Sequence, residues 1–368
     1  MQCITPMFRL YDISSNEKIR IIPRSEVMEG LELNPNNIKF QLSKMNGHYL
    51  ARNQLIQTIP CGHCWACKLN KSAEWATRCT LETLDHNHNY FITLTYDDKH
   101  LPIPEFISYK EITININSQI IEIPKKIYND GTWIDGSLAP DDVTKFIHDI
   151  RQYFKREKGI DGIRYFYCGE YGETTKRPHY HMILYGAPLD LSQNYDYHIK
   201  NYQEHWKNPL IDKYWKHGMH DIANVEWSCC AYVARYTMKK LNDEPKSDEW
   251  YANQGKLKEF VRMSRMPGIG MNYYKNHKMK IYENDSMIMK TVKGNTGAFK
   301  PPKACDKLFK EEYPLEWKKI EKKRKECAER SRKNSYYLSD YTDLEKLNMK
   351  ATTVITKANM LPRTMDGL

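Results

Sequence analysis

The chain has 368 residues, 56 Lys and Arg against 46 Asp and Glu, a formal net charge of +10 and a pI near 8.9. That length suffices for two or three domains with a sizeable core, and the basic balance suits a polyanionic partner. No apolar run approaches the ~18 residues of a membrane span, and the opening MQCITPMFRLYD lacks a charged n-region followed by an apolar h-region, so neither a membrane partner nor secretion is expected.

Residues 1–59 are mixed and turn-rich, without trustworthy periodicity. IPCGHCWACK follows, with Cys61, Cys64 and Cys67 spaced by two residues, Cys79 twelve further on and a Gly turn that helps the thiols converge. The chain has ten cysteines, which without a secretory signal read as reduced thiols or metal ligands of a reducing cytoplasm rather than as a disulfide framework. A structural Zn²⁺ held by Cys61, Cys64, Cys67 and either Cys79 or a distant fourth residue is one reading; buried free thiols near a helix start are the other. A helix is predicted from Ser72, as N-cap, to His86.

NYFITLTYDD, Asn89–Asp98, alternates as a strand, with Thr93 and Thr95 on one face and Ile92, Leu94 and Tyr96 on the other. Residues 101–136 read as hairpin strands with turn punctuation, an insertion. Pro140 opens a helix whose apolar stripe is Val143, Phe146, Ile147, Ile150 and Phe154 and which Gly159 ends. IRYFYCGE and HYHMILY then form a hairpin across a loop near Gly172–Arg177. After a polar, aromatic connection, Ser228 caps a helix through SCCAYVARYTMKK, and FVRMSRMPGIG reads as a loop rich in arginine and glycine. Beyond Pro301 a charged helix and polar residues form a basic tail, a mobile arm with nine Lys/Arg and three Glu between Lys318 and Lys333. Strand, helix, hairpin and helix with antiparallel strands make an α+β fold, one sheet with helices packed on it.

Two constellations carry chemistry. His179 and His181, two apart on a strand, point the same way. His-x-His is weak by itself, since 13 histidines make about half of one such pair expected by chance, and His86/His88 is a second example in a plain loop. If the hairpin turns near residue 175, however, Glu170 lies opposite His179, and two imidazoles and a carboxylate share a face. That set suits Mg²⁺ or Mn²⁺, the imidazoles also zinc, and the competing reading is a solvated pair on an edge strand. Tyr232, Arg235, Tyr236 and Lys239 fall at i, i+3, i+4 and i+7, one face of a helix. A tyrosine there has a cation three residues on to assist phenol deprotonation or neutralise a phosphate. With 26 tyrosines in the chain the same spacing also arises structurally, at Tyr167/Tyr171 and Tyr337/Tyr341.

IPCGHCWACKLNKSAEWATRC, FITLTYDD, CGEYGETTKRPHYHMILYG, AYVARYTMKK and RMSRMPGIG, in this order between Ile59 and Gly270, together resemble the replication initiator proteins of gokushovirus-like microviruses, within the HUH rolling-circle endonucleases. The resemblance implies a ferredoxin-like or RRM-like antiparallel sheet with the tyrosine helix laid against it. It implies an endonuclease domain over 59–300, flanked by an N-terminal segment 1–58 and a tail 301–368. It makes His179 and His181 the paired metal ligands, Glu170 rather than Glu173 the third, Tyr232 and Tyr236 the two nucleophiles and Lys239 their lysine. Tyr180 departs from the family's hydrophobic middle residue. Arg235, Arg262 and Arg265 are candidates to hold single-stranded DNA. The implied activity is metal-dependent, origin-specific nicking and religation through a 5′-phosphotyrosine, in the cytoplasm of a bacterial host. Without a G-x-x-x-x-G-K-[ST] motif, unwinding falls to a host helicase and extension to a host DNA polymerase. The alternatives are a non-catalytic, zinc-containing DNA-binding protein, and an HUH transposase or relaxase.

Overall fold

A computed structural model describes residues 3–12, 18–22, 54–103, 109–116, 119–128, 136–172, 175–200, 203–239, 251, 253–290, 296–337 and 349–356. The chain divides into two compact units, Met1–Lys71 with Glu312–Pro362, and Ser72–Glu311 with Arg363–Leu368.

The first unit contains the strands β1 (Met7–Asp12), β2 (Lys18–Ile22) and β3 (Gln54–Ile59), paired antiparallel in the order β2-β1-β3. Helix α1 (Trp65–Leu84) starts in this unit and runs on past its boundary. It begins seven residues before the expected start: Ser72 lies inside the helix and is buried instead of capping it, and the Lys68 N–H already bonds the Cys64 carbonyl at 3.0 Å. The cysteine turn, not Ser72, launches the helix.

The second unit is built on one sheet, and its strands follow in chain order. These are β4 (Asn89–Tyr96), the separate antiparallel hairpin β5 (Tyr109–Ile116) and β6 (Gln119–Tyr128), helix α2 (Pro140–Lys158), β7 (Arg164–Tyr171), β8 (Pro178–Tyr185), β9 (Tyr195–Lys200), β10 (Gln203–Lys207), α3 (Pro209–Tyr214), β11 (Gly218–Asn224), α4 (Trp227–Lys239), β12 (Phe260–Met263) and α5 (Met271–Glu283). The hairpin β13 (Met287–Lys290) and β14 (Thr296–Phe299) and helix α6 (Lys303–Glu312) complete it. Helix α7 (Pro314–Tyr337) carries the basic run in the first unit. The sheet has seven strands in the order β12-β7-β8-β4-β11-β10-β9, every neighbouring pair antiparallel. This is the expected α+β architecture of an antiparallel sheet with helices packed on it.

Alternation sorts the side chains onto two faces. Ile92, Leu94 and Tyr96 of β4, Tyr167 of β7, Tyr180, Met182 and Leu184 of β8 and Ile222 of β11 point to one face. There they meet Val143, Phe146, Ile147, Ile150 and Phe154 of α2, the five residues of the predicted stripe. Helix α2 is locally well specified, with proline in its first turn beside Asp141 and Asp142, Lys155, Arg156 and Lys158 in its last turn, and Gly159 at φ 66° ending it. The other face packs Phe91, Phe166, Cys168, Ile183 and Tyr185 against Cys79 of α1 and Cys229, Cys230, Tyr232 and Val233 of α4.

Three expectations shift. Helix α4 begins at Trp227, one residue before Ser228, a difference within the ordinary fraying of helix ends. The first residues of FVRMSRMPGIG are an edge strand, β12, because Val261 and Met263 alternate inward onto the α4-side core. The connection after the hairpin is three further strands and a short helix, whose apolar residues Trp206, Ile211 and Ile222 join the α2 core.

Candidate active site

The hairpin register decides the site. β7 and β8 pair with Glu170 opposite His179 and Cys168 opposite His181, and β8 pairs with β4 so that His181 faces Thr93. Two-residue periodicity puts Glu170, His179, His181 and Thr93 on the α4 side of the sheet. Tyr232, in the second turn of α4, points back at them.

Glu170 is 2 % exposed, and its Oε1 lies 2.9 Å from Nε2 of His179 and 2.9 Å from Nε2 of His181. The Tyr232 hydroxyl donates to the same Oε1 at 3.0 Å and sits 3.4 Å from His181 Nε2. Burial alone would raise the Glu170 carboxyl, but hydrogen bonds from His179 and His181, and their charge, outweigh it and hold the group well below the usual carboxylate range. The rings are oriented from behind. His179 Nδ1 donates to the Arg177 carbonyl oxygen at 3.1 Å, Thr93 Oγ1 lies 3.0 Å from His181 Nδ1, and Phe91 stacks on the His181 ring at 5.6 Å. The His181 and Tyr232 rings meet edge to face at 5.0 Å, and the Arg235 guanidinium stands 5.6 Å over the Tyr232 ring.

These residues fit a divalent cation. With its Nδ1 proton committed to a carbonyl, a neutral His179 aims the lone pair of Nε2 at a carboxylate oxygen, an arrangement that a cation between them turns from repulsive to attractive. Ligand atoms about 3 Å apart match the spacing around an ion bonded at about 2.1 Å to each, and the two outward ring nitrogens already have the orienting partners that metal-bound imidazoles use. The mixed nitrogen and oxygen set suits Mn²⁺, Mg²⁺ or Zn²⁺.

The other expected residues are distributed as follows. Tyr236 and Lys239 lie on α4 one and two turns beyond Tyr232, and their side chains are outside the described residues. Arg262 pairs opposite Tyr167 in β12–β7, which puts it on the α2 face, away from Glu170 and the histidines. Its guanidinium stands 5.2 Å over the Phe260 ring. Arg265 is exposed in the turn after β12. Of the three arginines, only Arg235 is brought to the site.

Cys61, Cys64 and Cys67 do come together, but their fourth neighbour is Cys3, with Sγ atoms 3.5 Å (Cys61) and 3.6 Å (Cys64) away. Cys79 is twelve residues beyond Cys67 on one helix, about 18 Å along its axis, and is fully buried in the α4-side core, where desolvation pushes its thiol up to about 12. Its expected place in that group is therefore corrected. A third polar group escaped the sequence reading altogether. Asp221 of β11 pairs opposite Thr93, and its Oδ2 lies 2.6 Å from Nδ1 of His205 while His198 Nε2 lies 3.7 Å from its Oδ1. No local signal joins these three, which come from three different strands.

A family model of replication-associated proteins, with ORF2 as its type, matches residues 124–241, a span that holds Glu170, His179, His181, Tyr232, Tyr236 and Lys239 and excludes the cysteine turn and β12. Replication-associated protein ORF2 of Spiroplasma virus 4 is 33 % identical over 83 % of this chain and 85 % of its own length. Replication-associated protein VP4 of Bdellovibrio phage phiMH2K is 26 % identical over 77 % of this chain and 79 % of its own. Replication-associated protein ORF4 of Chlamydia phage 1 is 26 % identical over 54 % of this chain and 42 % of its own. No solved structure matches.

Proposed function

The chain belongs to the family of phage replication-associated proteins, and from that premise we propose that it initiates rolling-circle replication by nicking and rejoining single-stranded origin DNA through a phosphotyrosine, in the cytoplasm of its bacterial host. The observation that carries the reading is the meeting of a phenol, a buried carboxylate and two imidazoles at one oxygen, Glu170 Oε1. Structural histidine pairs have no need of a tyrosine aimed at their carboxylate.

Glu170, His179 and His181 would hold the cation. When bound, the ion supplies Lewis-acid pull on a non-bridging phosphate oxygen and neutralises developing charge. Glu170 stays ionised, which makes it a weak base that fixes the Tyr232 hydroxyl by accepting its hydrogen bond. Arg235 places positive charge over the phenol ring and favours its anionic form. Attack of the phenolate oxygen on phosphorus forms the phosphotyrosine and breaks the bond to the 3′ oxygen, which leaves and takes up a proton. The ester energy is kept in the new bond, so a later 3′-OH can attack the phosphotyrosine and restore both phosphodiester and phenol. Tyr236, one helical turn on, would serve the second cut while Tyr232 still holds DNA. No helix among the described residues is long and apolar enough to cross a membrane; a host helicase and polymerase would complete the cycle.

The test is a denaturing gel of the protein with a labelled single-stranded origin oligonucleotide, in Mn²⁺ or in EDTA. A protein-linked band that needs metal and vanishes in His179→Ala is expected. Intact DNA binding with no covalent band in either metal would leave a non-catalytic DNA-binding protein. One further consequence concerns Thr93, whose hydroxyl orients His181. Thr93→Val should keep the fold and weaken Mn²⁺ binding by about 10–100-fold, the usual cost of losing a partner behind a metal-bound imidazole. Calorimetric titration reads this directly, and an unchanged affinity would remove Thr93 from the site.

A further inference from the structure

We propose that Cys3, Cys61, Cys64 and Cys67 bind one tetrahedral zinc ion, with Cys3 as the ligand that closes the site. The four sulfurs already sit at the corners such an ion requires. Zinc–sulfur bonds of about 2.3 Å at the tetrahedral angle place sulfurs about 3.8 Å apart. The observed separations are 3.5 Å for Cys3–Cys61, 3.6 Å for Cys3–Cys64 and 4.0 Å for Cys61–Cys67. None is near the ~2.05 Å of a disulfide, and all four cysteines are free thiols.

Plain packing of thiols also brings sulfurs to this distance, so the surroundings decide. Cys61 Sγ receives the backbone N–H of Cys64 at 3.2 Å and of His63 at 3.4 Å, and Thr5 Oγ1 lies 3.1 Å away. The Cys61 N–H in turn points at Cys3 Sγ at 3.4 Å. A neutral thiol is a weak acceptor; several donors converging on one sulfur match a thiolate. Thiolates at this spacing repel unless a cation lies among them. Free structural cysteines favour apolar cores, yet three of these four are only half-buried, unlike Cys79, Cys229 and Cys230. The turn Gly62–Cys64, with Gly62 at φ 81°, wraps its amides around Cys61, and the first turn of α1 contributes Cys67 at a helix N-terminus, where an anionic sulfur is favoured.

The consequence is a clip between distant parts of one unit. Cys3 precedes β1, and Cys61 follows β3, which pairs with β1 along its whole length, Met7 opposite Ile59. The ion would therefore pin the open end of the β1–β3 pair to the start of α1. Each ligating thiol gives up its proton on binding, so loading is pH-dependent and chelation destabilises this unit.

The experiment uses the full-length reduced protein. Elemental analysis should find one zinc per chain, and Co²⁺ replacement should give the sulfur-to-cobalt charge-transfer absorption and the ligand-field bands of a tetrahedral thiolate site. The Glu170–His179–His181 group has no sulfur, so those bands persist in His179→Ala whatever becomes of the nicking reaction. Cys3→Ser should cut metal affinity by more than the about 10–100-fold that losing an outer partner costs, and Cys79→Ala should leave the spectrum unchanged. Absence of bands in the wild-type protein, an unaltered spectrum in Cys3→Ser, or loss of the bands in Cys79→Ala overturns the proposal.

Discussion

Tyr232→Phe should reduce formation of the covalent protein–DNA product by about 10³-fold or more, the scale of losing a nucleophile whose neighbours remain in place. The substitution removes one oxygen from a ring that is 2 % exposed and held between Phe91, His181 and Arg235, so the ring itself has no reason to move. A second effect must be separated from the first. The hydroxyl also donates to Glu170 at 3.0 Å, and its loss loosens one restraint on the carboxylate. If Tyr232 only positioned Glu170, the variant would bind Mn²⁺ more weakly and still form adducts through Tyr236. If Tyr232 attacks, Mn²⁺ affinity stays within a few-fold of wild type while the first cleavage disappears. Measuring metal affinity and single-turnover adduct formation on the same variant, with Tyr236→Phe beside it, decides between the two.

Glu82→Gln should cost about 3–5 kcal/mol of stability, the usual penalty for leaving one member of a buried ion pair alone. Glu82 of α1 is fully buried, pairs with Arg164 at the start of β7, accepts the Gly270 N–H at 2.5 Å and lies 3.4 Å from His86 Nε2. Arg164 also reaches the Pro267 carbonyl oxygen at 2.5 Å, and Arg78 Nε holds that of Ile269 at 2.9 Å. Together these contacts fasten the turn before α5 between α1 and β7. Gly270 adopts φ 74° with its open side against Arg78, where a Cβ would come within 2.7 Å of the carbonyl oxygen. Burial would push the Glu82 carboxyl up, but His86, the Gly270 amide and the Arg164 charge together draw it below its ordinary 4.5. The sign follows from linkage. A depressed carboxylate contributes stability that is present above its unfolded value and is lost as the pH falls through the folded one. The gap between wild type and Glu82→Gln in urea unfolding should therefore be full at pH 7 and shrink below pH of about 4.5. A gap that stays constant down to pH 3 would mean that the pair contributes nothing through its charge.

Much of this molecule is written locally. The α2 stripe from Val143 to Phe154 follows from a period of 3.6, and the faces of β4 follow from a period of two. The meeting of Glu170 with His179 was readable for a similar reason: a short loop leaves a hairpin little choice of register, so opposite residues can be counted from the turn. Tyr232 could be placed on a helix, but not against Glu170 in particular. That contact depends on how α4 lies across the sheet, and helix packing has no sequence period of its own.

What the tertiary structure alone decided has long sequence separation in common. Cys3 and Cys61 are 58 residues apart, Glu82 and Arg164 are 82 apart, and the Asp221–His205–His198 group draws on three strands inside a segment that looked like connection. Arg262 illustrates the cost of not knowing a pairing. Its place on the α2 face follows at once from its register with Tyr167, yet nothing between residues 171 and 260 announces that β12 returns to β7. Local pattern sets which face a side chain takes within its own element. Closing a long loop costs nearly the same free energy wherever its ends meet, so the partner across that loop is chosen by packing of the whole core, and no stretch of sequence read by itself contains that choice.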